Sequence, residues 1–322
     1  MSVSTTDLFS GAASAVPAAP GSYGEPPRGF RLPDATRLGP VRLQVSSLDR
    51  SLPFYEGTLG LRVVERGAGS AVLAAHGDDT PLVGLREGEG VRPAPRRGRL
   101  GLYHFAILLP DRGSLGRFVR HLAETGAQAG AGDHLVSEAL YLQDPDGLGI
   151  EVYADRPRET WQRIGRELVM ATDPVDFAEL VRAGGSEAWR GMPTGTVMGH
   201  VHLHVGDLAG ASAFYSDALG FDRTVWRYPG ALFLSAGGYH HHLGANTWAG
   251  SGARPAAEDE ARLLEWTIEL PDEQSLAAAA ASLAEAGHPV ERAGGASDVV
   301  TRDPWGTGIR LRAAAPGATR AR

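Results

Sequence analysis

The 322-residue chain contains no cysteine, which excludes disulfides, thiolate metal sites and a cysteine nucleophile. Any metal must therefore be held by histidine, aspartate or glutamate. No apolar stretch approaches the roughly 20 residues that a bilayer-spanning helix requires, so no membrane partner is expected. There is no long run of basic residues, and the formal charge is −7. That leaves no electrostatic footprint for nucleic acid. The first residues lack a basic start followed by a continuous apolar core, so no secretory leader is expected and the cytoplasm is the expected compartment.

The composition present is that of a globular chain, 43% hydrophobic and 21% charged, with room for about two domains. Residues 1–37 are rich in Ala, Gly, Pro and Ser and read as a flexible N-terminal tail, with "RGFRLP" the stretch expected to touch the body. Beyond it the chain repeats itself. "GPVRLQVSSLDRSLPFYEGTLGL" (39–61) returns as "GHVHLHVGDLAGASAFYSDALGF" (199–221), with Gly39, Phe54, Tyr55 and Gly60 matching Gly199, Phe214, Tyr215 and Gly220 at an offset of 160. "LYHFAILLPD" (102–111) pairs with "LLEWTIELPD" (263–272), and "DPDGLGIE" (144–151) with "DPWGTGIR" (303–310). An offset held over that distance marks a duplication.

Each unit opens on an alternating strand, passes into a helix starting near Asp or Ser, and continues as short strands divided by Gly, Asp and Pro turns. The expectation is an α+β chain of four βαβββ modules, at 38–90, 98–156, 196–250 and 260–314. Modules one and two form a first domain (38–156) and modules three and four a second (196–314). Residues 157–195 read as a helical connector, and 315–322 as a C-terminal tail.

Four such modules carrying "FYxxxLG"-type elements resemble the vicinal oxygen chelate superfamily (the glyoxalase/bleomycin resistance/dioxygenase fold), whose modules pair into cup-shaped mixed sheets. That element is shared by isomerases, lyases and binding proteins, so alone it speaks for fold and not for reaction. "GDHLVSEALYLQDPDGLGIEVY" (132–153) is more specific. Its His134, Tyr141, Asp144-Pro145-Asp146-Gly147 and Glu151 resemble the signature of type I extradiol dioxygenases, most closely bacterial catechol 2,3-dioxygenases. The resemblance covers about residues 38–314.

What the resemblance implies is an Fe(II) enzyme, with Mn(II) as the other metal that such a ligand set takes. Two histidines and one carboxylate would hold the metal and leave positions for both catechol oxygens and O2. Glu151 matches the family's carboxylate and His104 one of its histidines. The other histidine should follow a Gly on the first strand of a partner module. Pro40 stands there in module one and His200 in module three. Glu265 and Arg310 replace the equivalents of His104 and Glu151 in the second half, and an arginine there would repel a cation. One cup built from modules two and three is therefore expected, with a degenerate cup from modules one and four.

"GGYHHHLGAN" (237–246) places His240, His241 and His242 in a row. Read as a strand, neighbouring residues face opposite ways, so the three cannot share an ion. The family's acid–base histidine lies in a His-x-x-small pattern, which "HHLG" supplies as His241 with Gly244; Pro81 stands opposite His241 in the first half. His240 and His242 are then expected to face away from His241, as support. His134 and Tyr141 would hydrogen-bond substrate oxygens and developing charge. The implied reaction inserts O2 beside the two hydroxyl-bearing carbons of a catechol, giving a 2-hydroxymuconic semialdehyde-type product.

His202 and His204 share a strand face with His200 and are read as supporting histidines; His76 and His121 are read as surface groups. Asp144, Pro145 and Gly147 form a turn. Two further readings stand beside the first: a glyoxalase-like isomerase or lyase, and a cup that holds an aromatic ligand without turnover. Small molecules and O2 are the expected partners. Pairing at exposed sheet edges would give a homo-oligomer.

Overall fold

The structure is a computed structural model in which residues 14–293 and 298–314 are described. The expected C-terminal tail and residues 1–13 lie outside them. The N-terminal segment contributes β1 (Val16–Pro17). Module one runs β2 (Arg37–Val45), α1 (Leu48–Pro53), β3 (Arg62–Gly67), β4 (Ser70–Ala74) and β5 (Pro81–Glu87). Module two runs β6 (Arg99–Leu108), α2 (Arg112–Thr125), β7 (Gly130–Asp133), β8 (Ser137–Gln143) and β9 (Gly149–Asp155). After β10 (Gln162–Ile164), β11 (Glu167–Leu168) and α3 (Phe177–Ala183) comes module three: β12 (Val197–His204), α4 (Leu208–Ala211), β13 (Asp222–Val225), β14 (Ala231–Ser235) and β15 (Leu243–Asn246). A short β16 (Arg254–Pro255) precedes module four: β17 (Arg262–Leu270), α5 (Glu273–Glu285), β18 (Glu291–Arg292), β19 (Val299–Arg302) and β20 (Gly308–Ala313). All four units are thus βαβββ, as the repeat implied.

The helix starts are written into the repeat. Asp111, Asp207 and Asp272 each cap a helix by accepting from the backbone N–H three residues on, at 2.7, 2.6 and 2.7 Å, which satisfies a donor that the helix leaves open. The recurrent "FY" elements lie in π-helical turns, Phe54–Thr58 and Ser212–Ala218. From these turns Tyr55 donates to Asp144 at 3.1 Å and Tyr215 to Asp303 at 2.7 Å. Each half is thereby tied internally, its first module to the Asp-Pro turn of its second. That turn needs its aspartate: Asp144 also accepts from the N–H groups of Asp146 and Leu148.

Sheet formation cuts across the sequence halves. One sheet has the order β13-β14-β15-β12-β6-β9-β8-β7, with β16 beside β6; the other runs β18-β19-β20-β17-β2-β5-β4-β3. The seams are antiparallel, β12 on β6 and β17 on β2. Module two therefore pairs with module three and module one with module four. Each sheet takes one module from each half, so the two sequence halves are not the units in which the sheets close.

Two expectations are corrected. Among the described residues, the connector is helical only in a short turn, Arg158–Thr160, and in α3. Its middle forms β10 and β11, which with β1 make a three-stranded sheet. The cause is a partner distant in sequence: Trp161, Ile164, Leu168 and Met170 are buried and β1 offers an edge to pair with. For the same reason residues 14–36 are no tail. Ala18, Tyr23 and Leu32 are buried, Ala18 donates to Trp161 O, and Glu25 pairs with Arg223.

Candidate metal centre

Strand alternation decides which side chains meet at the β12–β6 seam. In register, His200 lies across from Ala106 and His202 from His104; Ala106 pairs with Glu151 and Glu151 with Tyr141. His104, Glu151, Tyr141, His200 and His202 therefore share one face. His104, Glu151 and His200 are buried, and their ligand atoms lie within 4.8 Å of one another. Among the described residues no other three histidine, aspartate or glutamate side chains converge so. Glu151 Oε2 stands 3.0 Å from His104 Nε2 and 3.2 Å from His200 Nε2. His104 Nε2 is nevertheless a buried nitrogen that forms no hydrogen bond. It is near the carboxylate but not aligned to donate to it, as a lone pair aimed at a shared ion would be.

The electrostatics suit ligands. Burial opposes the charge on Glu151, but His200 and His104 outweigh it and hold the carboxyl well below its usual range. Burial drives His200 down to about 4 against the pull of Glu151. An ionised carboxylate beside an uncharged imidazole is what coordination requires.

The other three residues singled out in the sequence lie around this centre. The rings of His104 and Tyr141 are 5.6 Å apart and those of His200 and His241 4.1 Å. His134 Nδ1 donates to Ala171 O at 2.7 Å, so its Nε2 accepts the Tyr141 hydroxyl at 2.5 Å. Burial and the Glu151 carboxylate push the Tyr141 phenol well up. His241 is 5% exposed; burial, then His200, His240, His202 and His134, hold its pKa well below the usual value.

His202 is buried, its ring 5.0 Å from that of His104, packed so closely on Gly244 that a Cβ there would stand 2.7 Å from it. His204 bonds Asn246 Oδ1 at 2.7 Å. Neither adds an atom to the converging set. Burial lowers the pKa of both. His76 is exposed as expected. His121 is not a free surface group, since its Nε2 donates to the carbonyls of Gly57 and Thr58.

The histidine run corrects the strand reading. Residues 236–242 form an irregular loop between β14 and β15, turned by Gly237 and Gly238 at φ 61° and 64°. The left-handed pair breaks the two-residue alternation. His240 consequently does not face away from His241: their rings are 4.6 Å apart and their Nδ1 atoms 2.6 Å. His242 does turn to support, its Nδ1 meeting the Ser235 hydroxyl and the Ala236 N–H. Tyr23, from the N-terminal segment, clamps the loop by donating to Gly238 O at 2.5 Å.

Sequence reasoning missed two groups. Asp155 lies four residues after Glu151 on β9 and accepts from His240 Nε2 and the Tyr239 hydroxyl, both at 2.9 Å; the i, i+4 spacing along a strand was its only signal. Tyr103 and Trp248, 39% and 45% exposed, form an aromatic rim with rings 5.8 Å apart. Trp248 reaches His202 at 5.6 Å and Tyr228 at 6.4 Å. Nothing in the local sequence separates that rim from ordinary core aromatics.

The second sheet is built differently at the equivalent place. Arg310 makes a bidentate pair with Glu265 at 2.9 and 3.1 Å, Arg42 adds 3.0 Å to the same carboxylate, and Asp298 accepts from Arg310 and Arg312. A guanidinium network fills the position where the first sheet converges ligand atoms.

Comparison with known proteins gives consistent findings. The family model described as Glyoxalase/Bleomycin resistance protein/Dioxygenase superfamily matches residues 37–152 and 197–311. A protein of Bacillus subtilis (strain 168) named catechol-2,3-dioxygenase is 48% identical over 260 residues, covering 80% of this chain and 90% of its own. Among solved structures, a candidate dioxygenase from Bacillus subtilis superposes with a TM-score of 0.59 at 14% identity, covering 90% of this chain and 87% of its own. Glyoxalase I from Zea mays superposes with a TM-score of 0.52 at 19% identity, covering 86% of this chain and 92% of its own. At these identities the two structures speak for the fold alone.

Proposed function

Because the chain belongs to the Glyoxalase/Bleomycin resistance protein/Dioxygenase superfamily and is close to a catechol-2,3-dioxygenase, we propose that it is an Fe(II)-dependent extradiol dioxygenase. It cleaves catechol or a substituted catechol to a 2-hydroxymuconic semialdehyde-type product. The observation that carries this is the convergence of His104, Glu151 and His200 on one buried point, in a chain of that identity. Two imidazoles and one carboxylate on a single face suit a non-haem ferrous ion with open positions, and Mn(II) is the alternative for the same donors. The unbonded His104 Nε2 supports the fit.

Bound there, the ion supplies Lewis acidity toward the catechol oxygens and a path for electrons to O2. The protein does the rest. His241, uncharged and packed on His200, is free to take up and return a proton at the reacting edge of the substrate. Tyr141, whose hydroxyl donates to His134, would turn that single proton toward substrate oxygen on which charge develops. The exposed rings of Tyr103 and Trp248 offer aromatic faces against which a flat substrate ring could pack. Both atoms of O2 remain in the product, so no external reductant is needed.

The test is anaerobic loading with Fe(II), then catechol and air, with O2 uptake and the yellow ring-fission product followed together. Uptake equal to product formed supports the reading. Absence of product from fully iron-loaded protein with several catechols would overturn it.

A further inference from the structure

We propose that Asp155 and His240 are positioning residues that fix the tautomer and orientation of His241 through two hydrogen bonds in series. The inference depends on the ring-cleaving reading for what His241 does, but not for how it is held.

The chain of donors is determined at one end. A carboxylate only accepts, so His240 Nε2, 2.9 Å from Asp155 Oδ1, carries the proton. His240 Nδ1 then holds the lone pair and accepts from His241 Nδ1–H at 2.6 Å. His241 is left with its lone pair on Nε2, the outer atom of a ring packed between His200 and Phe233. A base presented at Nε2 and held through Nδ1 follows the logic by which a buried carboxylate orients a histidine in hydrolytic triads, here extended by one imidazole.

Each member is anchored. Tyr239 donates to the same oxygen of Asp155 at 2.9 Å, and the hydroxyls of Tyr239 and Tyr153 are 2.6 Å apart. His240 is fully buried, with its ring 4.0 Å from that of Tyr239 and 5.4 Å from Trp161. Its backbone carbonyl accepts from Thr224 Oγ1 at 2.7 Å. Glu151 and Asp155 project from the same face of β9, so one strand sets both the ligand and the end of the series.

The second sheet, built from modules one and four, supplies an internal control. At the offsets of the repeat, Thr80 and Pro81 stand for His240 and His241, and Ala314 for Asp155. The sheet that lacks the ligand set, built from modules one and four, also lacks every member of the series. A histidine kept only to fill space would not need a carboxylate four residues beyond the ligand glutamate.

The experiment uses the full chain with 15N-labelled histidine. NMR of the metal-free wild type should show His241 protonated on Nδ1 and His240 on Nε2. In His240→Phe, which keeps the stacked ring, and in Asp155→Ala, His241 should shift toward the Nε2–H form favoured by unconstrained imidazole. With iron loaded, both variants should keep their iron and KM while kcat falls roughly ten- to a hundredfold, the scale of outer-shell partners. In a His241→Ala background, His240→Phe should produce no further loss of kcat.

A wild-type His241 protonated on Nε2, or variants with unchanged tautomer and kcat, would overturn the proposal; so would an equal further loss in the His241→Ala background. If iron-loaded wild type cleaves no catechol, the ring-cleaving reading fails, while the tautomer measurement still decides the hydrogen-bond series. The wild-type spectrum keeps the test decisive if a variant does not fold.

Discussion

Gly149 opens β9, two residues before Glu151, the proposed carboxylate ligand. A Cβ there would stand 2.0 Å from Tyr103 O and 3.2 Å from His104 Cβ. Backbone carbonyls cannot swing aside, so Gly149→Ala must separate β9 from β6 by about 1 Å to reach the shortest contacts that Cβ atoms make. Functional constellations tolerate about 0.5 Å, and here Glu151 is on one strand and His104 on the other. Overpacking of this kind destabilises by about 1–3 kcal/mol, offset by about 0.4–1 kcal/mol from the stiffer unfolded chain. A net loss of about 0–2.6 kcal/mol, centred near 1, is expected, with loss of iron.

The duplication provides the control, because Gly308 is also too tight for a Cβ, with Leu264 O at 2.4 Å and Glu265 Cβ at 3.1 Å, in the sheet that lacks the proposed ligand set. Gly308→Ala should lose comparable stability and keep its iron. Urea unfolding and iron per chain after gel filtration read the two effects separately. Equal iron loss in both variants, or full iron in Gly149→Ala, would refute the claim that β6–β9 spacing sets the centre.

Other outcomes follow from the same geometry. Glu151→Ala and His200→Ala should each abolish iron retention on dialysis, whereas Pro40→His, in the other sheet, should leave it unchanged. Arg310→Ala leaves the largely buried Glu265 carboxylate with Arg42 alone and should cost about 2 kcal/mol in urea unfolding, the scale of a lost hydrogen bond to a charged group, without affecting iron. The double variant Glu265→Leu/Arg310→Met should recover most of that loss. Burial raises Asp144 from 3.8 to about 6, against the N–H bonds of Leu148 and Asp146. The folded state therefore holds the extra proton between those values, and this group's contribution to stability falls as pH rises through that window, by up to about 3 kcal/mol. Asp144→Asn should lose that slope, so the stability gap between wild type and variant must change between pH 4 and pH 7.

The modules were legible because their signals are local. Asp caps, alternating strands and Gly turns recur at a fixed offset, and each acts within a few residues of itself. Pairing of module two with module three could be inferred because Pro40 and Arg310 are chemically unfit where a ligand is needed, while His200, His104 and Glu151 are fit. The convergence of those three is observed in the structure. What was not legible depends on contacts distant in sequence. Two consecutive left-handed glycines, Gly237 and Gly238, turned a presumed strand into a loop and swung His240 back beside His241. The N-terminal segment looked mobile by composition, yet β1 pairs with β10 and Tyr23 holds the histidine loop. Pairing with a distant edge outweighs Ala- and Pro-rich composition, and no window of sequence contains both partners.

The most direct measurement is the identity of the product made from catechol by the iron-loaded chain under 18O2, read by mass spectrometry together with the yellow absorption that the isomeric diacid from cleavage between the hydroxyl-bearing carbons lacks. The account predicts a ring-opened semialdehyde whose mass is that of catechol plus one O2, formed by wild type and lost in Glu151→Ala. A product cleaved between the two hydroxyl-bearing carbons, or catechol recovered intact from iron-replete protein, would contradict it.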